Sequence, residues 1–193
     1  ANSTELFAAP AEKKKILIKI GDFSKCPPLF GVREEIQQIF VNIIGNPNVG
    51  KSTLMNRLVG EKLSIITSKA QTTRHRILGI VNEENFQIVF SDTPGILQPA
   101  YELQHSMMDF VRTAFEDADI LLYIIESGES ELKDPSFFAK IQHSKIPVIL
   151  LINKIDLSTQ EEVVGQMKIW QDKLPTAIIY PISALNNFNL QVV

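Results

Sequence analysis

The chain has little of what braces secreted proteins or anchors membrane proteins. Cys26 is the only cysteine in 193 residues, which excludes an internal disulfide, suits a reducing compartment and leaves no partner thiol for a metal site. No apolar run reaches the ~20 residues needed to cross a bilayer. No charged-then-apolar leader precedes a small-residue cleavage site, so no secretory signal is read. Neither sign of charge prevails. The 19 Lys and Arg stand against 22 Asp and Glu, a formal net charge of -3, so the whole chain carries no electrostatic bias toward nucleic acid or an anionic lipid surface. There is no internal repeat or low-complexity tract. A hydrophobic fraction of 45% with 21% charged residues leads to the expectation of one full cytoplasmic domain.

What is present is concentrated in a few polar loops. Gly45-Asn46-Pro47-Asn48-Val49-Gly50-Lys51-Ser52-Thr53 follows the β-branched and aromatic run Ile39–Ile44 and precedes Leu54–Leu58, which has helical apolar spacing. Strand, Gly-x4-Gly-Lys-Ser and helix form the phosphate-binding loop. Gly45 and Gly50 let the backbone curl with its N–H groups inward, where a side chain would block a phosphate. The helix start adds its positive dipole end. Lys51 is expected to reach the β- and γ-phosphates, and the Ser52 hydroxyl to meet Mg²⁺. The bland alternative is a chance glycine-rich turn, which arises on the order of once per hundred chains of this length.

Residues 1–35 are the least informative. Ala1–Ala11 is small and polar and reads as disordered, Ile16–Ile20 reads as a short strand behind a lysine triplet, and Cys26-Pro27-Pro28 breaks whatever precedes it. From Phe40 onward strands and helices alternate. Ile77–Val81 and Phe86–Ser91 predict an antiparallel hairpin. Glu102–Ala118 predicts a helix with Leu103, Met107, Phe110, Val111, Ala114 and Phe115 on its apolar side. Ile120–Ile125 is a strand covered on both faces. A helix over Glu131–His143, a strand over Pro147–Ile152, a helix over Glu161–Leu174 with Val163, Val164, Met167 and Trp170 inward, and a strand over Ala177–Ile182 complete the pattern. The fold class is α/β, in three layers: a mostly parallel central sheet, one antiparallel strand, and helices on both faces. The site of such a sheet lies at the carboxyl ends of its strands.

Each remaining polar motif follows a strand. Asp92 closes one, where a buried carboxylate needs a cation or donor opposite it, and Mg²⁺ near Ser52 is the obvious cation. Thr93 and Pro94 lead to Gly95, whose backbone N–H is placed for a γ-phosphate; an ordinary Pro-Gly turn is the even alternative. Asn153-Lys154-Ile155-Asp156 reads the base. A carboxylate two residues past a lysine accepts both N–H donors on guanine's edge, and adenine has no matching pair. The Lys154 stem covers a purine ring, and Asn153 ties its loop to the phosphate loop. Ser183-Ala184-Leu185 is expected to offer backbone donors to the guanine carbonyl.

These motifs in this order are similar to those of GTP-binding proteins, and more finely to the Era family of bacterial GTPases. GNPNVGKST, KAQTTRHRILGI, DTPGI, NKID and PISALNNFN, at 45–53, 69–80, 92–96, 153–156 and 181–189, carry the resemblance, which runs over 40–193. It implies that Ser64–Arg76 is switch I, with Thr73 rather than Thr72 closing on Mg²⁺ and the γ-phosphate, and that switch II follows Gly95. It implies GTP hydrolysis that times small ribosomal subunit maturation through ribosomal RNA, in the cytoplasm and partly at the inner membrane face. Era-like proteins continue into an RNA-binding KH domain. The expectation for this chain is an N-terminal extension over 1–39 and a GTPase domain over 40–193 that stops as its last helix begins, with no KH domain.

Two positions bear on mechanism. Ras-like GTPases carry a water-orienting Gln where this chain has Ile96. Asn48 matches the asparagine by which some relatives hold K⁺ beside the β–γ bridge, with a loop-bracing hydrogen bond as an equal alternative. Lys51, Thr73, Gly95 and Asn48 are therefore the catalytic candidates, and Ser52, Thr73 and Asp92 the metal ligands. The competing functions are a non-catalytic GTP/GDP-binding module and a related GTPase of tRNA modification or large-subunit assembly. NKID disfavours a metabolic kinase.

Overall fold

The computed structural model describes residues 37–64, 73–82 and 86–193. The expected disordered start and Ile16–Ile20 strand, the greater part of the switch I loop including Thr72, and the tip of the hairpin turn lie outside these residues. The elements are β1 (Gln37–Ile44), α1 (Lys51–Val59), β2 (Ile77–Asn82), β3 (Phe86–Asp92), α2 (Glu102–Glu116), β4 (Ile120–Glu126), α3 (Pro135–His143), β5 (Val148–Asn153), α4 (Gln160–Lys173) and β6 (Ile178–Pro181). Short 3-10 turns cover Ile155–Leu157 and Leu190–Val192.

The six strands form one sheet in the order β2-β3-β1-β4-β5-β6. β2 and β3 are antiparallel and every other neighbouring pair is parallel. Alternation along the strands assigns the two cores. Leu121, Tyr123 and Ile125 of β4 join Met108 and Val111 of α2, Phe137 and Ile141 of α3, and Trp170 of α4. Leu122 and Ile124 point the other way, with Ile43, and meet Leu54 and Met55 of α1. Period-2 side-chain direction between two apolar layers is why β4 reads as an unbroken hydrophobic run. Parallel strands also bring the ends of β1, β3, β4, β5 and β6 to one edge. Neighbours β3 and β4 lie on opposite sides of β1, so the loop after β1 sits where the strand order reverses.

Three helix readings need correction. α3 begins at Pro135 rather than Glu131, because Asp134 caps it: its Oδ1 accepts from Ser136 N at 3.0 Å and Phe137 N at 3.2 Å, with proline in the first turn. On α2 the buried side is Gln104, Met107, Met108, Val111 and Ala114. Leu103 and Phe110, both expected inward, are exposed, since a stripe centred on Met107 and Val111 leaves those two on its flank. On α4 the same shift exposes Val164 and buries Gln166 beside Val163 and Trp170. β1 starts two residues before the expected Ile39, and a capping box of Thr159 and Glu162 starts α4.

Candidate functional site

The loop 45–50 joins β1 to α1. Gly50 adopts φ 102°, ψ 20°, a left-handed conformation that strains any residue with a Cβ, and a Cβ there would meet Asn153 Nδ2 at 2.3 Å. Asn48 also has positive φ, 66°; asparagine is among the few side chains that tolerate this region. The Asn48 side chain is exposed and has no hydrogen-bond partner among the described residues, so the bracing role weighed for it is not seen.

Lys51, the first residue of α1, is buried. Its Nζ donates to Gly45 O at 3.2 Å and Asn46 O at 2.7 Å. Burial lowers its pKa to about 8, against the opposing charges of Asp92 and Glu129. An ammonium held only by neutral carbonyls in a desolvated loop is a strong receptor for a phosphate, because charge-assisted bonds are roughly twice as strong as neutral ones. Thr53 is half-buried on the same helix.

One turn of sheet away, Asp92 is fully buried. Its Oδ2 accepts from Ser52 Oγ at 2.7 Å and from Thr73 Oγ1 at 3.5 Å, and the two hydroxyls are 3.2 Å apart. Burial raises the Asp92 pKa, while the Ser52 hydrogen bond and the Lys51 charge pull it down. Its second oxygen, Oδ1, is buried without a partner. Among the described residues no three His, Cys, Asp or Glu gather into a metal cluster. The donor set is two hydroxyls and one carboxylate with an orphaned lone pair, all hard oxygen, which fits Mg²⁺ shared with phosphates and water. Ser52, Asp92 and Thr73 would hold it.

Thr93 and Pro94 brace the strand end, and Gly95 sits against the phosphate loop. Thr93 Oγ1 donates to Ile43 O at 2.8 Å inside the sheet, and Pro94 is buried. Gly95 packs so closely that an added Cβ would lie 2.7 Å from the N and Cα of Pro47. The strand end and the phosphate loop therefore touch.

Asn153 links the base loop to the phosphate loop: its Nδ2 donates to Val49 O at 2.8 Å, and its Oδ1 accepts from Ala184 N at 2.9 Å. Asp156 is exposed and its Oδ1 accepts from Ser183 Oγ at 2.6 Å. Lys154 has φ 63° and pairs with Glu126 Oε2 at 2.8 Å. The backbone donors expected of 183–185 are corrected in part. Ser183 N donates to Phe188 O at 3.2 Å and Ala184 N to Asn153, so both serve the loop itself, while Leu185 is exposed.

The sequence reading passed over the loop after β4. Asn46 turns its side chain toward it, donating to Glu129 Oε1 and Glu131 O and accepting from Lys133 N at 2.9 Å. Gln166 of α4 braces the same loop through Glu126 O, Glu129 O and Gly128 N. The signal was available: this is the remaining strand-end loop at the carboxyl edge, and it carries Glu126, Ser127 and Glu129 within four residues.

A phosphate loop, a hydroxyl–carboxylate cation site and a base-reading loop at one sheet edge define the class of P-loop GTP-binding proteins. The chain belongs to the family described as 50S ribosome-binding GTPases, whose model matches residues 40–154. Within it the chain is similar to GTPase Era of Clostridium botulinum strain Langeland, 42% identical over 154 residues, 79% of this chain and 52% of that protein. GTPase Era of Clostridium beijerinckii is 40% identical over the same shares. The chain thus spans about half the length of the curated relatives it matches. Among solved structures, Era in complex with MgGDPNP and nucleotides 1506–1542 of 16S ribosomal RNA gives a TM-score of 0.75 at 41% identity, covering 81% of this chain and 54% of that one. A tyrosine variant of Aquifex aeolicus Era bound to GDP·AlF4⁻ gives 0.73 at 40% identity, covering 81% and 55%.

Proposed function

We propose that the chain is the nucleotide-binding part of a slow GTPase switch that serves small ribosomal subunit assembly. The observation that carries the reading is the meeting of Ser52, Thr73 and Asp92 beside Lys51, with Asn153 fastening the guanine-reading loop to Val49. Mg²⁺, when bound, neutralises charge on the β- and γ-phosphates. The residues of the chain do the rest: Lys51 binds the phosphates, backbone N–H groups of 48–52 and of Gly95 would serve as their donors, and Asp156 selects guanine. With no glutamine after Gly95, intrinsic turnover falls on the order of 10⁻⁴ to 10⁻² per second. K⁺ held by Asn48 is a further proposed aid to hydrolysis. Support for the ribosomal role is the likeness to Era, one structure of which is a complex with nucleotides 1506–1542 of 16S ribosomal RNA. The rRNA contact, cytoplasmic location and peripheral membrane association belong to this proposal for the whole protein.

The family description favours a second reading, a related GTPase acting on the large subunit. Pull-down of each ribosomal subunit by the protein loaded with a non-hydrolysable GTP analogue separates the two. A third reading, a module that binds without turnover, draws on the buried Ile96. Single-turnover hydrolysis with Mg²⁺ tests it: release of no phosphate above the buffer rate, with GTP bound in preference to ATP, would leave only the binding module.

A further inference from the structure

β4 ends at Glu126, and the chain turns at once. Gly128 takes φ 89°, and Glu129 N donates back to Glu126 O at 2.9 Å. Helix α4 fastens this turn on one side: Glu129 O accepts from Gln166 Nε2 at 2.8 Å and from Trp170 Nε1 at 3.2 Å. The base-reading loop fastens it on another. Ser127 N donates to Asn153 O at 2.8 Å, and Glu126 Oε2 pairs with Lys154 Nζ at 2.8 Å. A turn held by two neighbours is a fixed point from which one side chain can position a binding group.

The side chain that leaves this fixed point is Glu129. Its Oε2 accepts from Glu126 N at 3.0 Å and its Oε1 from Asn46 Nδ2. Asn46 is 2% exposed, and its amide is engaged at both ends. Nδ2 also donates to Glu131 O at 3.0 Å, and Oδ1 accepts from Lys133 N at 2.9 Å. An asparagine gripped in this way holds its own backbone still. Its carbonyl is the nearer partner of Lys51, whose Nζ donates to Asn46 O at 2.7 Å and to Gly45 O at 3.2 Å. An ammonium has three protons. With two committed to these carbonyls, their placement sets where the third one points, and the third is the one left for a phosphate.

We propose that Glu129 is a positioning residue for the β-phosphate of a bound nucleotide: by holding Asn46 it sets the carbonyl that aims Lys51. The turn after β4 thereby carries the rigidity of α4 and the base-reading loop across to the phosphate loop. The inference rests on the reading of this sheet edge as a guanine nucleotide site, and adds to that site a residue outside its sequence motifs. Charge alone acts in the opposite direction. A carboxylate beside the phosphate loop repels a polyphosphate, so its removal would strengthen GDP binding if Glu129 served no contact.

The test compares GDP with GMP, which lacks the phosphate that Lys51 is to reach, by competition against a fluorescent GDP on the full chain. The bonds that α4 and the base-reading loop make to Glu129 O and Ser127 N are to backbone atoms, so Glu129→Ala leaves the turn anchored. It is expected to weaken GDP by roughly tenfold and GMP by less than about twofold. Asn46→Ala should do the same. The two changes together should cost no more than the worse one alone, within about twofold, because both cut one path. Glu129→Gln keeps the volume and one acceptor oxygen, so it should weaken GDP by about threefold with GMP unmoved, and it carries the same comparison should Glu129→Ala not fold. Unchanged or stronger GDP binding in the Glu129 variants overturns the proposal. So does equal weakening of GDP and GMP, which a general loosening of the fold would give, or losses from Glu129→Ala and Asn46→Ala that simply add. If the unmutated chain binds ADP as well as GDP, the guanine nucleotide reading itself has failed.

Discussion

Ile96 gives its backbone N–H to Gly45 O at 3.0 Å while its side chain is fully buried in the core shared with α2 and α3. The segment after Gly95 thus leaves the strand by tying itself to the first residue of the phosphate loop. Position 96 differs in chemistry from the glutamine of Ras-like GTPases, and its side chain here belongs to the core. Ile96→Gln is therefore expected to destabilise rather than accelerate. An unpaired amide in that core costs about 1–3 kcal/mol, to be read as a lowered unfolding midpoint with GDP present. The single-turnover rate should stay at or below that of the unmutated chain. A faster rate would show that residue 96 faces the nucleophile when GTP is bound.

Asn153 holds the two nucleotide-reading loops together through Val49 O and Ala184 N, and it is buried. Asn153→Ala leaves a backbone acceptor and a donor unpaired, at about 1–3 kcal/mol each. The expected outcome is a lowered unfolding midpoint together with at least about tenfold weaker GDP binding, measured by calorimetry. Loss of stability with GDP affinity intact would confine Asn153 to the scaffold.

The parts that were legible in the sequence are those where one residue type has a single physical reason to be there. Gly50, Lys51 and Ser52 show themselves because a phosphate demands a bare turn, a cation and a hydroxyl in order. β4 shows itself because burial on both faces leaves only aliphatic residues and one tyrosine from Leu121 to Ile125. What stayed hidden depends on tertiary partners. Asn46 reads as a nucleotide contact, yet its side chain goes to Glu129, Glu131 and Lys133, 83 or more positions away along the chain. Gln166 replaces Val164 in the interior because the loop after β4 has a carbonyl and an N–H for an amide to satisfy, which no periodicity rule anticipates.

The buried state of Lys51 makes nucleotide binding proton-linked. Its folded-state pKa of about 8 lies below the ordinary lysine value. Between pH ~8 and ~10.4 the unfolded chain binds the extra proton, so this group makes the nucleotide-free fold more stable as pH rises through that window. A polyphosphate reverses the shift by favouring the charged form. Binding at about pH 8.5 should then take up a proton, and GDP affinity should fall as pH rises above ~8. Calorimetry in two buffers of different ionisation enthalpy measures the uptake, which Lys51→Met should abolish. Equal uptake in the variant would assign the proton to another group.

Base selection is expected to reside in Asp156. Its carboxylate is exposed and already aligned by Ser183 Oγ at 2.6 Å, so it needs no rearrangement to accept two donors from guanine. A site built to pair donors rejects a base that lacks them by up to ~10⁴–10⁵-fold. Asp156→Asn should weaken GDP by roughly 10–100-fold, since hydrogen bonds to a charged group contribute about 1.5–3 kcal/mol. It should improve xanthosine diphosphate, whose extra carbonyl can accept from the new amide. Competition of GDP, ADP and xanthosine diphosphate against one fluorescent nucleotide reads all three. Equal affinity of the unmutated chain for ADP and GDP would overturn the assignment.

Asn48 remains the residue whose side chain is least engaged, exposed and left-handed at φ 66° with no hydrogen-bond partner among the described residues. A free amide oxygen at the lip of the phosphate loop suits a weakly held monovalent cation, which would neutralise charge where no arginine or glutamine is at hand. GTP hydrolysis should then run faster in K⁺ than in Na⁺, and Asn48→Ala should bring the two salts to one rate. Asn48→Gly keeps the left-handed backbone without an amide, so it separates the side chain from the turn: if the glycine variant still responds to K⁺, the cation is held by something other than Asn48. The same rate in both salts for the unmutated protein would leave Asn48 as a residue chosen for its backbone conformation.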